Sequence, residues 1–177
     1  MNARIDQVVK ALILLTAIAA TGCHSGGARE PAPLPASLDL HQAITIPAER
    51  TAVFMQAGRV QSFSELNAYA PHCKFELRAL SSNTRTVAPE RFTIVRVRDE
   101  INVAALAAPL HVAALWLAST EQPTYWVYAT AMDLHSASQP EVFRLTCQHW
   151  EPGDASFPRH LTVGEMRDAL GAVASLN

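Results

Sequence analysis

Two pairs of side chains in this sequence have the spacing of metal ligands. Asp133 and His135 stand two residues apart, and so do His149 and Glu151. On a β-strand that spacing puts both members of a pair on one face. Zinc takes three or four protein donors, so either pair alone is too few. Read as the arms of a hairpin, residues 125–134 and 141–150 set position 135 against about 141, and 149 against about 127. At about 3.3 Å per residue the two pairs then lie roughly 25 Å apart, and no metal site is expected. Covalent hydrolysis needs a nucleophile, a base and an orienting acid. Serines and histidines are present, but no nucleophile-elbow pattern surrounds any serine. Cys73 beside His72 is not enough to make a thiolate–imidazole pair. No catalytic residue and no cofactor is therefore assigned. Lys74, Arg78, Arg96 and Arg98 could gather into a basic patch for lipid phosphates or an acidic partner. Glu76, Asp99 and Glu100 stand close enough to neutralise it. A formal charge of −2 gives no reason to expect nucleic acid.

The address of the chain is written at its start. Arg4 and Lys10 carry positive charge, Val8 to Ala20 is apolar apart from Lys10 and Thr16, and Ala20-Thr21-Gly22 is a run of small residues before Cys23. The uncharged stretch is short of the ~20 residues that cross a bilayer, so residues 1–22 read as a signal peptide. Ala20-Thr21-Gly22-Cys23 resembles the lipobox of bacterial lipoproteins, with Ala20 where that pattern prefers Leu. The resemblance implies cleavage before Cys23, lipid on its sulfur and often on its new amino group. Two or three acyl chains, at ~0.8 kcal/mol per buried methylene, hold a protein on a membrane surface without a spanning segment. His24 stands where an Asp would signal inner-membrane retention. The resemblance thus implies the periplasmic face of the outer membrane.

Cleavage removes Arg4, Lys10 and Asp6, which moves the formal charge from −2 to −3, and leaves enough chain for one domain. Three cysteines are present. With Cys23 acylated, Cys73 and Cys147 remain, and an exported compartment is oxidising, so they are expected to form a disulfide.

Residues 23–37 are rich in Gly, Pro and Ala, and Pro31, Pro33 and Pro35 alternate, the composition of an extended tether. A single domain is expected over 38–177. Leu40, Ala43, Ile44 and Ile46 suggest one strand stopped by Pro47. Thr51–Gln56 suggests a second, with a turn or bulge at Gly58 leading into Arg59-Val60. Residues 63–69 suggest a short helical turn opened by Ser62 or Ser64. In residues 73–79, Cys73, Phe75, Leu77 and Ala79 alternate with Lys74, Glu76 and Arg78, the period of a half-buried strand. Residues 81–89 read as a polar loop and 91–98 as a β-branched strand.

Residues 101–118 carry no charge, but Ala, Pro109 and His111 make them poor lipid partners. One or two short helices over the sheet are expected there. In the hairpin, Trp126, Tyr128, Thr130, Met132 and Leu134 share one face, and Phe143, Leu145 and Cys147 share another. At the C-terminus Thr162-Val163-Gly164-Glu165 is a capping box, Leu161 and Met166 stand where a hydrophobic staple packs, and Val163, Met166, Leu170 and Val173 make an apolar stripe weakened by Gly164 and Gly171.

The expected fold class is therefore mainly β (α+β), an antiparallel sheet or sandwich of six or seven strands with a C-terminal helix. The stretches ITIPAERTAVFMQAG, APHCKFELRAL, QPEVFRLTC and LTVGEMRDALG resemble those of small uncharacterised lipoproteins of Gram-negative bacteria, a resemblance that carries no activity. The expected role is non-catalytic binding or envelope assembly. The expected partners are the membrane, held through the N-terminal lipid, and a protein of the envelope. The alternative is an enzyme with its site near residues 101–118.

Overall fold

The computed structural model describes residues 34–104, 125–155 and 158–177. The signal segment, Cys23, the tether up to residue 33 and residues 105–118 of the apolar run lie outside the described residues. The described part belongs to one compact unit, Pro33–Asn177.

The chain forms β1 (Ser37–Leu40), β2 (Ile44–Ile46), β3 (Ala52–Gln56), β4 (Arg59–Gln61), β5 (His72–Leu77), β6 (Arg85–Val87), β7 (Arg91–Ala104), β8 (Tyr125–His135), β9 (Val142–Pro152), the helix α1 (Val163–Leu170) and β10 (Ala174–Leu176). Eight strands make one sheet in the order β10-β1-β7-β8-β9-β5-β3-β4, and β2 pairs with β6 in a second, two-stranded sheet. Every pairing is antiparallel. The class is mainly β, as the period-two alternation predicts.

The large sheet curls around one core. Phe75, Phe92, Met55, Met132, Leu134 and Leu145 point inward from its strands, and all are fully buried. β2 and β6 add Ile44, Ile46 and Val87, and α1 adds Met166, Ala169 and Leu170. Each of the larger side chains contributes about 1.5–3 kcal/mol by leaving water, and Ala169 less. The curl brings the two ends of the sheet together through α1, which packs on β3, β5 and β10. The closing contact is backbone on backbone. The turn between β3 and β4 has positive φ at Ala57 (49°) and Gly58 (72°), the type I′ geometry that matches strand twist. Gly58 donates its N–H to the Ala169 carbonyl at 3.1 Å, beside Gly171 at the end of α1.

Several expectations are corrected. The first expected strand is two: the chain reverses after Leu40, so β1 joins the large sheet and β2 the small one. The polar segment 81–89 contains β6, whose three residues have no apolar alternation to announce them. Residues 101–104 continue β7 rather than opening a helix. The domain begins before 38, because Ala36 and Ser37 donate to the Asn177 carbonyl at 2.6 and 2.9 Å. Gly171 ends α1 rather than weakening its middle, and Val173 lies beyond the helix, leading into β10. Phe143 does not share a face with Leu145 and Cys147. Leu77 pairs with Val142 and Glu76 with Arg144, so a bulge turns Phe143 outward, under the guanidinium groups of Arg78 and Arg144 at 5.2 and 4.9 Å.

The capping box is present and heavily used. Thr162 Oγ1 accepts from the Glu165 N–H at 3.3 Å, and the Thr162 N–H donates to Glu165 Oε2 at 2.8 Å. Arg159 adds a two-pronged contact to the same carboxylate at 2.6 and 2.7 Å. Leu161 and Met166 are both buried, as a staple requires. The Arg159 guanidinium, with help from Thr162, pulls the Glu165 carboxyl down to about 2 from an ordinary 4.5. A depressed carboxylate stabilises the fold above its unfolded value, and the contribution fades as pH falls from 4.5 through about 2. Thr162→Ala should cost about 0.5–2 kcal/mol in chemical denaturation near neutral pH. The difference in melting temperature between wild type and Glu165→Gln should shrink across that acidic window. A difference that stays constant down to pH 2 would remove the carboxylate from the account.

Candidate functional site

A cleft of about 500 Å³ opens where β2, β3 and β4 come together. Pro47, Ala52, Val53, Phe54, Val60 and Phe63 give it apolar walls, and Arg50 stands at its rim. Sequence places these residues there through three turns. Pro47 stops β2 and throws Arg50 across to the start of β3. The Ala57-Gly58 turn lays β4 back along β3. Ser62 then opens a short 3-10 turn, Phe63–Glu65, whose capping box fixes Phe63 against the wall. The Glu65 carboxylate accepts from the Ser62 N–H at 2.9 Å and from its hydroxyl at 2.7 Å. The Ser62 N–H holds that carboxyl below its usual range.

The apolar surface does not stop at the cleft. Phe54 meets Phe63 at 5.5 Å between ring centres, Phe63 meets Trp150 at 6.4 Å, and Trp150 meets Tyr69 and Tyr125 at 6.3 and 6.4 Å. The result is a row of five rings across the outer face of the sheet. Phe63 and Tyr69 are half exposed, at 54% and 50%. His72 stands behind the row, completely buried, with Nδ1 donating to the Ala70 carbonyl at 2.9 Å and Nε2 accepting from Gln148. Burial pushes its pKa down, so it stays neutral and structural.

The chain matches no protein-family model, no curated protein and no solved structure. The functional reading therefore rests on the geometry.

Cys73 and Cys147 sit directly opposite each other in the β5–β9 ladder, with sulfurs 2.07 Å apart, at disulfide distance. Their Cα atoms are 4.0 Å apart, closer than the ~4.4–6.8 Å usual for disulfides. Both are fully buried. Cys23, the expected lipidation site, lies outside the described residues.

The two candidate ligand pairs do not meet. The hairpin register sets Tyr128 against His149 and Asp133 against Arg144, one residue away from the expected pairing. That register puts His149 and Glu151 on the inner face and Asp133 and His135 on the outer one, so the sheet separates them. His149 Nε2 and Glu151 Oε1 bond to each other at 2.8 Å, while Asp133 receives two hydrogen bonds from Arg98 at 2.9 and 3.0 Å. The basic patch is a mixed network. Lys74 pairs with Glu76 at 3.0 Å, and Arg98 also approaches Glu100 at 3.6 Å. Asp99 takes no part, since it projects from the opposite face of β7, where it is exposed and accepts from Thr130 at 2.7 Å.

The cleft was missed at the sequence level. Val60 and Phe63 read there as ordinary apolar residues, and nothing local shows that β4 becomes an edge strand.

Proposed function

We propose that the chain is a lipid-anchored binding protein of the periplasmic face of the outer membrane, with a non-catalytic role in binding or assembling an envelope partner. The observation that carries it is the half-exposed aromatic row running into an apolar cleft. Exposed apolar surface of this kind is retained where a partner covers it. The cleft walls carry one cation and several hydroxyl and amide groups, with no acid–base pair among them, which suits recognition. Ala20-Thr21-Gly22-Cys23 supports the anchor, and the buried Cys73–Cys147 pair supports an oxidising compartment.

Two measurements test this. Metabolic labelling with an alkynyl palmitate should mark the chain, and Cys23→Ser should abolish the label and release the protein from membranes. Labelling that survives the substitution refutes the anchor. For the domain, Val60→Asp together with Phe63→Glu should lower the melting temperature by only a few degrees and leave the fold intact, because both side chains are partly exposed and the main loss is the Phe63 ring contacts with Phe54 and Trp150. The same protein should lose the cross-linked species that wild type forms in native membranes. Unchanged cross-links would move the binding site away from the cleft.

A further inference from the structure

Resting on the reading that this cleft is the binding site, we propose that it takes an extended peptide strand. The strand adds to the open edge of β4, sinks an apolar side chain between Val53, Phe54 and Phe63, and sets a carboxylate against Arg50.

The first support is the edge. β4 pairs with β3 alone among the described residues. Around a two-residue hairpin turn, the flanking pair Gln56 and Arg59 exchanges both ladder hydrogen bonds, and the next pair, Met55 and Val60, exchanges none. Val60 therefore turns its N–H and C=O to the open side, which is what an added strand needs. Its side chain lines the cleft and remains 37% exposed. The backbone groups and the apolar pocket thus belong to one residue. That is the arrangement in which main-chain bonds supply affinity and a pocket supplies specificity.

The second support is charge. Arg91, Arg98, Arg144 and Arg159 each hold a carboxylate within 3.2 Å. Arg50 lines the cleft, is exposed, and has no acidic partner among the described residues. Arg85 stands behind it, donating from Nη2 to the Arg50 carbonyl at 3.1 Å, and its buried Nε has no hydrogen-bond partner. Arg59, Arg78, Arg96 and Arg167 also hold no carboxylate among the described residues; Arg50 differs from them in lining an apolar cleft, where its charge is complementary to an anionic ligand. The planar guanidinium fits a carboxylate through two parallel hydrogen bonds. A bare acyl chain would use the apolar walls and leave the Val60 backbone and Arg50 unused. A peptide strand uses all three.

The antiparallel β3–β4 register puts Arg50, just before β3, near the Gln61 end of β4. The carboxylate therefore lies at that end of the bound strand, from an acidic side chain or from a peptide C-terminus.

The test uses the full-length chain in detergent and a library of fluorescein-labelled heptapeptides, half with free C-terminal carboxylates and half amidated. Binding is read by fluorescence anisotropy, with oleate measured alongside. The binders should alternate apolar and polar residues and carry Asp, Glu or a free C-terminus. Comparison of the two halves tells which carboxylate Arg50 holds. Arg50→Glu should weaken the best binder about tenfold or more at an unchanged melting temperature. Methylation of the peptide nitrogen that meets the Val60 carbonyl should do the same. Equal binding by Arg50→Glu overturns the proposal, and so does binding of oleate with no heptapeptide. If Val60→Asp with Phe63→Glu abolishes the membrane cross-links while no heptapeptide binds wild type, the cleft stands as the binding site and its peptide ligand falls.

Discussion

Gly171→Ala should destabilise the domain by about 2–5 kcal/mol, and Gly164→Ala, seven residues earlier on the same helix, should not. Gly171 caps α1 with φ 54° and ψ −130°, a region that side chains with a Cβ avoid. A Cβ built there would stand 2.5 Å from the Gly58 Cα and 3.0 Å from the Gly58 nitrogen. Both obstacles are backbone, in a turn whose own φ values are positive, so neither moves aside cheaply. Conformational strain and overpacking each cost about 1–3 kcal/mol, and here they act on one residue. For a domain of this length the melting temperature should fall by about 5–15 °C.

The size of the effect comes from where the contact lies. Gly58 belongs to the turn before one sheet edge, and Gly171 precedes β10, the other edge. Separating them opens the curl and loosens α1 from β3 and β5. Gly58→Ala should cost about 1 kcal/mol, because its Cβ would meet the Gly171 Cα at a tolerable 3.4 Å and the penalty is mainly its φ of 72°. At Gly164 the nearest atom to an added Cβ is Thr162 Oγ1 at 3.8 Å, ordinary contact, so alanine there should stabilise by about 0.5–1 kcal/mol. Denaturant titrations of the three variants check the ordering. A Gly171→Ala protein as stable as wild type would refute the closing role of this contact.

What could be read in the sequence was what local chemistry dictates. The alternation of Cys73, Phe75 and Leu77 with Lys74 and Glu76 is the burial pattern of β5, because a strand with one wet face must repeat every second residue. Thr162 and Glu165 announce α1 because its first N–H groups need acceptors. What could not be read depends on partners distant in the chain. Two bulges, at Val95 and Phe143, reset the parity of β7 and β9, and a bulge is set by the strand opposite. β6 and β10 are three residues each and exist because β2 and β1 accept them. The candidate site is of this second kind. Its rings come from β3, β8, β9 and the loop between β4 and β5, and its edge exists because nothing in the described chain pairs beyond β4. No window of sequence contains that arrangement.

Removing the Cys73–Cys147 bridge should lower stability by about 2–4 kcal/mol. The two cysteines are 74 residues apart in sequence, and a closed loop of that size carries a chain-entropy contribution of about 4 kcal/mol. Measured contributions commonly fall below the entropic value, which sets the lower range. The bridge acts mainly on the unfolded chain. In the folded state β5 and β9 are already held by a ladder from His72↔Gln148 to Leu77↔Val142. In the unfolded state the bridge alone keeps residues 73 and 147 together, and with them the segments that become β5 to β9. Cys73→Ala and Cys147→Ala should each lower the melting temperature. The double variant should be little worse than either single one, since all three lose the same bond. Both sulfurs are buried, so reductant should have little effect on the native protein and should act only as the domain unfolds. Thiol titration of denatured, unreduced protein with Cys23 blocked gives a direct count. No reactive thiols are expected; two per chain would refute the bridge. Additive losses in the double variant would show that each cysteine stabilises the core as a separate apolar side chain.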